Sequence, residues 1–354
     1  MLGGHGNFGV RICRALSQDA GIEVLAAGRT ARSDGSVQLD LDSPSFPAAL
    51  ETLRPGIVIH CAGPFQGQDY RVASAAMSAG AHYLDLADGR EFVLRFAASN
   101  DAAARAAGLL AVSGASTVPA LSFAVVDSLV GRFRRIEEIQ ISIAPGQRAP
   151  RGSATISSVF SYAGRPFKWL HQGAWMDAHG WQELRRVRFA NLGTRWAAAC
   201  DIPDLELFPA RYPGVKTVEF RAALELTIQH LALWLAAALR RTGVPLPIER
   251  WARPLNRLAT LLDVFGSERG GMLVSVAGTR TDGRAARVEW HLTADANRGP
   301  EIPCMAAILL TRKLARGEIA ARGAYPCTGF LALPDFEPEF GHWGIITVVE
   351  EHPV

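Results

Sequence analysis

Near the start of the chain, Gly3-Gly4-His5-Gly6-Asn7-Phe8-Gly9 holds Gly4, Gly6 and Gly9 at the spacing G-x-G-x-x-G, directly before a segment of helical character. In that pattern the first glycine makes a tight turn, the second lets backbone approach a pyrophosphate, and the third permits close helix packing. The following helix N-terminus offers N–H groups and positive potential to phosphates. The expected chemistry is dinucleotide binding, with His5, Asn7 and Phe8 in the same loop. The motif alone has low specificity, because glycines also serve ordinary turns. Its context adds weight: a second apolar run ends at Gly28-Arg29-Thr30, where such folds read the adenosine ribose. No acid stands there to accept a ribose 2′-hydroxyl. The planar cationic fork of Arg29 suits a 2′-phosphate, so the expected cofactor is NADP rather than NAD. Thr30 and Asp40 join the expected cofactor contacts.

These contacts need a frame, and the first 115 or so residues supply its rhythm. Apolar runs at Ile22 to Ala27, Val37 to Leu41, Ile57 to Cys61, Tyr83 to Leu86 and Leu109 to Val112 alternate with Ala-rich stretches at Val10 to Leu16, Tyr70 to Ala79 and Phe92 to Ala107. That alternation predicts βαβ units and a parallel sheet. From about Ile136 the period changes to two, in Ile139, Ile141 and Ile143, which predicts a half-buried sheet. Met272 to Ala277 and Ala286 to Leu292 flank Asp282-Gly283, a strong hairpin signal. Pro303 and Gly317 bracket an apolar stretch as helix start and stop, and that helix is read as returning to the first domain. The predicted fold is α/β: a Rossmann-type doubly wound sheet over 1–125 completed by 300–354, and an α+β domain with antiparallel sheet over 126–299. Only Met1 and Leu2 precede the glycine turn, so the normally central first strand is almost absent. Either a longer product supplies an apolar strand upstream, which is the expectation, or the sheet has lost its middle.

Further motifs join the glycine turn: Cys61-Ala62-Gly63-Pro64-Phe65, Ala81-His82-Tyr83-Leu84-Asp85-Leu86, Gly114-Ala115-Ser116-Thr117-Val118-Pro119-Ala120 and, later, Gly323-Ala324-Tyr325-Pro326-Cys327. Together they resemble the saccharopine dehydrogenase-like family, strongly over the first 125 residues and more loosely beyond. The resemblance implies that Ala62, Gly63, Pro64 and Phe65 approach the cofactor and that Ser116 borders the nicotinamide. It also implies a second domain that dimerises and shapes the substrate cleft. It does not imply saccharopine as substrate.

Hydride transfer needs little from a protein beyond orientation and a proton donor or acceptor. Asp85, at the end of a predicted strand, could hold an ammonium or relay a proton, and Tyr83 could donate a phenolic one. Asp88 reads equally as a helix cap, and Tyr83 as a core residue. Tyr162 and Lys168 stand six apart, which is not the one-turn spacing of a Y-x-x-x-K pair. His171 and His179, among Trp169, Trp175 and Trp181, read as core before pocket.

Composition excludes several classes. With 37 basic and 34 acidic side chains interspersed and a net charge of +3, nothing favours nucleic acid. Five scattered cysteines without C-x-x-C spacing predict a reducing cytoplasm and no metal. Ala222 to Leu239 is apolar but broken by Glu225, Gln229 and His230, so no integral membrane segment is expected. The leading expectation is an NADP(H)-dependent oxidoreductase, a homodimer acting on a small amino or imino compound. The alternatives are a reductase of a hydrophobic carbonyl or enoyl substrate, and an NADP(H)-binding sensor or scaffold without turnover.

Overall fold

Strands covered by helices on both faces carry apolar residues throughout, and the early apolar runs fold in that way. The computed structural model describes residues 1–30, 35–150, 152–244, 254 and 259–353. The chain divides into two units, Met1–Phe123 with Pro300–Leu331, and Ala124–Gly299 with Ala332–Val354.

In the first unit, β1 (Ala27–Gly28), β2 (Val37–Gln38), β3 (Ile57–His60), β4 (His82–Asp85) and β5 (Leu110–Ser113) alternate with α1 (Gly9–Leu16), α2 (Phe46–Leu53), α3 (Arg71–Ser78) and α4 (Arg90–Ala106). From late in the chain come α9 (Ile302–Ala315) and β14 (Gly323–Pro326). The order across the sheet is β2-β1-Leu2-β3-β4-β5-β14, with every neighbour parallel. This is the doubly wound order with one added strand. Leu2, buried, holds the central place: its N–H donates to the Ile59 carbonyl (2.9 Å) and its carbonyl accepts from the Cys61 N–H (2.9 Å). On the other side the Met1 carbonyl accepts from the Ala27 N–H (2.8 Å). The runs predicted over Ile22 to Ala27 and Val37 to Leu41 shrink to two paired residues each, because a ladder ends where its partner does. α9 starts with Pro303 in its first turn and is tied to α1 through Glu301, which meets Arg11 (3.1 Å) and Arg14 (2.9 Å).

The chain crosses into the second unit inside α5 (Ser122–Val130). That unit holds β6 (Phe133–Ala144), β7 (Pro166–His171), β8 (Ala174–His179), β9 (Arg185–Phe189), β10 (Gly193–Ala199), β11 (Thr217–Ala223), β12 (Gly270–Arg280), β13 (Ala285–Ala294) and β15 (Ile346–Pro353). Its helices are α6 (Ser153–Tyr162), α7 (Asp204–Arg211), α8 (Thr227–Arg241) and α10 (Leu333–Trp343). The strands form one sheet, β15-β13-β12-β6-β11-β10-β9, with β7 on β11 and β8 on β7. β6 and β11 pair in parallel, so the sheet is mixed rather than antiparallel throughout. A parallel pair needs a long crossover, which the β7 to β10 excursion and α7 provide. Ile139 and Ile141 are buried, and β12 and β13 form the predicted hairpin around Gly283.

The assignment of 332–354 to the first domain is corrected. β15 pairs with β13 over eight residues, and Phe340 of α10 packs on Trp290, so this segment belongs to the second unit. The apolar stretch Ala222 to Leu239 also divides, into the end of β11 and most of α8. α8 buries His230 and Ala237 while exposing Ile228, Leu231, Leu235 and Leu239. Among the described residues, no helix is long and apolar enough to cross a membrane. Trp169 and Trp181 are core residues, whereas Trp175 is exposed.

Candidate functional site

At the carboxyl end of the first unit's sheet, the glycine turn is locked by backbone bonds. The N–H groups of Gly3 and Gly4 both donate to the Ala27 carbonyl (3.0 and 3.1 Å), and that of Gly6 to the Gly3 carbonyl (2.9 Å). Gly9 opens α1 so close to this turn that a Cβ there would lie 2.2 Å from the Gly3 carbonyl oxygen. Only glycine fits, which is the packing role the spacing assigns to the third glycine. Gly6 is exposed and carries no side chain, so a ligand can approach the start of α1 there. Asn7 is held by Arg11, which donates to both its carbonyl (2.5 Å) and its Oδ1 (2.7 Å), while the Phe8 carbonyl accepts from the backbone of α1. The His5 ring lies over Gly28, where a Cβ would fall 3.0 Å from His5 Cδ2, and His5 Nε2 is buried with no hydrogen-bond partner among the described residues.

Arg29 and Thr30 follow β1 directly and are both exposed. No acid pairs with Arg29 among the described residues, which leaves its guanidinium available to an anion; its carbonyl accepts from Gln38 Nε2 (3.1 Å). Asp40 is exposed beyond β2 and accepts the Asp42 N–H (3.2 Å). A glycine turn at the start of a helix and an exposed arginine after the next strand form an arrangement that can take an anion.

The turn after β3 meets the glycine turn: a Cβ on Gly3 would stand 3.0 Å from the Ala62 nitrogen. Ala62 and Gly63 are half-buried and Pro64 is exposed. Gln68 Nε2 donates to the carbonyls of Ala62 (2.9 Å) and Pro64 (2.7 Å), closing the loop on itself. Phe65 departs from the expectation. Its ring packs on His60 (5.0 Å between centroids) and Phe92 (5.4 Å), so its side chain anchors the loop in the core and leaves only backbone for a cofactor.

Asp85 and Tyr83 likewise lie inside. Asp85 is 0% exposed, and its Oδ1 accepts from the Ala87 N–H (2.9 Å), the Gly114 N–H (2.8 Å) and the Ser113 hydroxyl (2.9 Å). Burial raises its carboxyl to about 6, against the opposing pull of those donors. Tyr83, 1% exposed, places its hydroxyl 3.1 Å from His60 Nδ1, and burial, then the Asp85 charge, pushes the phenol up. Burial holds His60 down at about 4, so the ring is neutral. Neither predicted catalytic group reaches a surface of the unit. Enclosure on an apolar strand is the reason: Asp85 Oδ1 and the Tyr83 hydroxyl bond internally, while Asp85 Oδ2 and His60 Nε2 are buried with no hydrogen-bond partner among the described residues. His60, Ser113 and Gly114 were absent from the sequence-derived site. The signals for them were a histidine closing the apolar run Ile57-Val58-Ile59 and, for Gly114, its place at the head of the motif that runs to Ala120.

Ser116 is nearly buried, its N–H bonded to the Gly114 carbonyl (2.8 Å). Asp88 accepts from Gln66 Nε2 (3.2 Å), linking the turns after β3 and β4. In the second unit, Lys168 pairs with Asp177 (2.8 Å) and His171 with the buried Glu219 (2.8 Å). Glu289, His291 and Glu350 bring possible metal-ligand atoms within 4.8 Å of one another. However, His291 Nδ1 accepts the Ala190 N–H (3.2 Å), which leaves the ring proton on Nε2, facing Glu289 (3.5 Å), and Arg188 bonds Glu350 (2.6 Å). The Nε2 proton faces Glu289 and a guanidinium pairs with Glu350, so His291 keeps no lone pair for an ion.

No protein-family model matches the sequence, and no curated protein matches it. Among solved structures, saccharopine dehydrogenase (L-Glu forming) from Saccharomyces cerevisiae is similar with a TM-score of 0.67 at 12% identity, over 99% of this chain and 98% of that one. DAP dehydrogenase from C. glutamicum is matched at a TM-score of 0.49 and 14% identity, over 94% and 96%. Of these two, the yeast likeness bears on the fold, and it covers both units. The chain has a saccharopine dehydrogenase-like fold.

Proposed function

We propose that the chain is an NADP(H)-dependent oxidoreductase that moves hydride to or from a small amino or imino compound. The observation that carries this reading is the glycine turn packed against α1, with Arg29 exposed and, among the described residues, without an acidic partner. The yeast neighbour, named a dehydrogenase of the amino compound saccharopine, supports it through the shared fold. When bound, the nicotinamide supplies or accepts the hydride. The chain's part is to hold and orient. Backbone at the start of α1, where Gly6 leaves room for close approach, takes the pyrophosphate, and Arg29 and Thr30 take the 2′-phosphate. The backbone turns Ala62–Pro64 and Gly114–Ser116 flank the nicotinamide half. The reading includes a homodimer in a reducing cytoplasm. The five free cysteines support the redox setting, and light scattering of the purified chain tests the oligomer.

The test is a fluorescence titration with NADPH and NADH, followed by NADPH absorbance across amino acids, imino acids, aldehydes and enoyl thioesters. Saturable NADPH binding and turnover of an imino or amino compound are expected. Failure to bind either dinucleotide defeats the proposal. A second reading, a sensor that binds NADP(H) without turnover, draws on the enclosure of Asp85 and Tyr83. Tight binding with no turnover across the whole panel would favour it.

A further inference from the structure

The segment after β5 carries dense side-chain support, and that support converges on one carboxylate. Three donors from two different turns meet at Asp85 Oδ1: the Ala87 amide from the turn after β4, and the Gly114 amide and Ser113 hydroxyl from the end of β5. The Asp85 carbonyl adds a fourth link, accepting the Ala115 N–H (2.7 Å). From the other side, the Pro119 ring closes on Gly114, where a Cβ would fall 2.6 Å from Pro119 Cδ. Gly114 also stands at φ 84, a conformation that favours glycine. Residues 113–119 are therefore gripped from two directions, with Ser116 between them. A fully enclosed carboxylate cannot touch a substrate, but charge-assisted bonds of this number fix a backbone in place.

We propose that Asp85 is a positioning residue: by gathering the Ser113 hydroxyl and the amides of Ala87 and Gly114 on one oxygen, it sets the Gly114–Ser116 backbone against the nicotinamide half of the cofactor. The inference rests on the nucleotide-binding reading above. It replaces the role of proton relay expected for Asp85 with that of a bracket between two turns.

The first measurement is amide hydrogen exchange on the cofactor-free chain. Asp85→Leu keeps the branched shape, though it is larger, and removes the acceptors; it is expected to speed exchange at Gly114 and Ala115 roughly tenfold. Asp85→Asn keeps an acceptor oxygen and is expected to restore most of the protection. Unchanged exchange in Asp85→Leu overturns the bracket, whatever the chain binds.

The second measurement titrates 2′,5′-ADP, which carries only the adenosine half, beside NADPH. Asp85→Leu is expected to bind 2′,5′-ADP like the wild type and NADPH about tenfold more weakly, with altered fluorescence of the bound nicotinamide. Asp85→Asn is expected to recover both affinity and spectrum. Equal losses for the two ligands, or no loss, overturn the positioning role. If Asp85→Leu fails to fold, Ser113→Ala removes one donor and carries the same comparison with about a threefold effect. A wild-type chain that binds neither ligand overturns the nucleotide reading and this inference together. A wild type that binds both, with variants that behave alike, overturns this inference alone.

Discussion

The glycine turn and the β4–β5 corner lie at the carboxyl ends of one parallel sheet, yet they are built in opposite ways. The turn works by what it leaves open: Gly6 and Arg29 are exposed, and its geometry comes from missing side chains. The corner works by what it closes. Asp85, Tyr83 and His60 are all at or below 1% exposure, with Asp85 Oδ1 bonded to Ser113 and to backbone and the Tyr83 hydroxyl to His60. A ligand can be held by a surface of the first kind, while the second kind holds the surface in place. Two sites with equally suggestive residues can therefore differ in whether those residues ever meet a ligand.

The sharpest way to break this contrast is at the packing glycine. Gly9→Val drives side-chain atoms into the Gly3 carbonyl and is expected to cost roughly 3 kcal/mol or more of stability, with loss of nucleotide binding. Urea denaturation of a variant as stable as the wild type would show that the turn is not locked as described.

The next largest effect belongs to the closed corner and depends on pH. Burial raises the Asp85 carboxyl from 3.8 to about 6, so between those values the folded chain binds a proton that the unfolded chain has released. The stability linked to this group is complete below the unfolded value and is lost as pH rises through about 6, on the order of 2–3 kcal/mol. Asp85→Asn lacks this titration. Relative to the wild type it is expected to gain stability as pH is raised from about 4 to about 7, and parallel stability curves would rule the titration out.

Arg29→Ala probes the open turn. NADPH affinity is expected to fall about 10- to 100-fold, the worth of a charge-assisted phosphate contact, with little change for NADH. Equal losses in the two titrations would remove the 2′-phosphate role. The smallest effect is Ser113→Ala, expected to cost about 1 kcal/mol for one buried hydrogen bond, measured by thermal or urea melts.

The glycine turn was legible in the sequence because its chemistry excludes side chains, and absence of a side chain is itself a residue type. The parallel sheet was legible through the period of its apolar runs, and the β12–β13 hairpin through Asp282-Gly283. Other features were not. Phe65 and Asp85 sit beside turn residues in motifs that suggest ligand contact, and whether each points outward or into the core depends on helices packed from elsewhere, such as α4 with Phe92. β15 could not be placed because its partner β13 lies more than fifty residues earlier in the chain.

By itself, the order of residues determined where backbone must come close to something else: Gly9 against Gly3, Gly283 in its turn, and the short apolar runs that cannot face water. Only the tertiary structure decided which polar groups are enclosed, that Leu2 and its two neighbours pair with both β1 and β3, and that the last strand joins the second sheet. The physical reason is range. Backbone conformation and period are set by neighbours a few residues away, whereas burial and strand pairing are set by surfaces that meet only after the chain has folded.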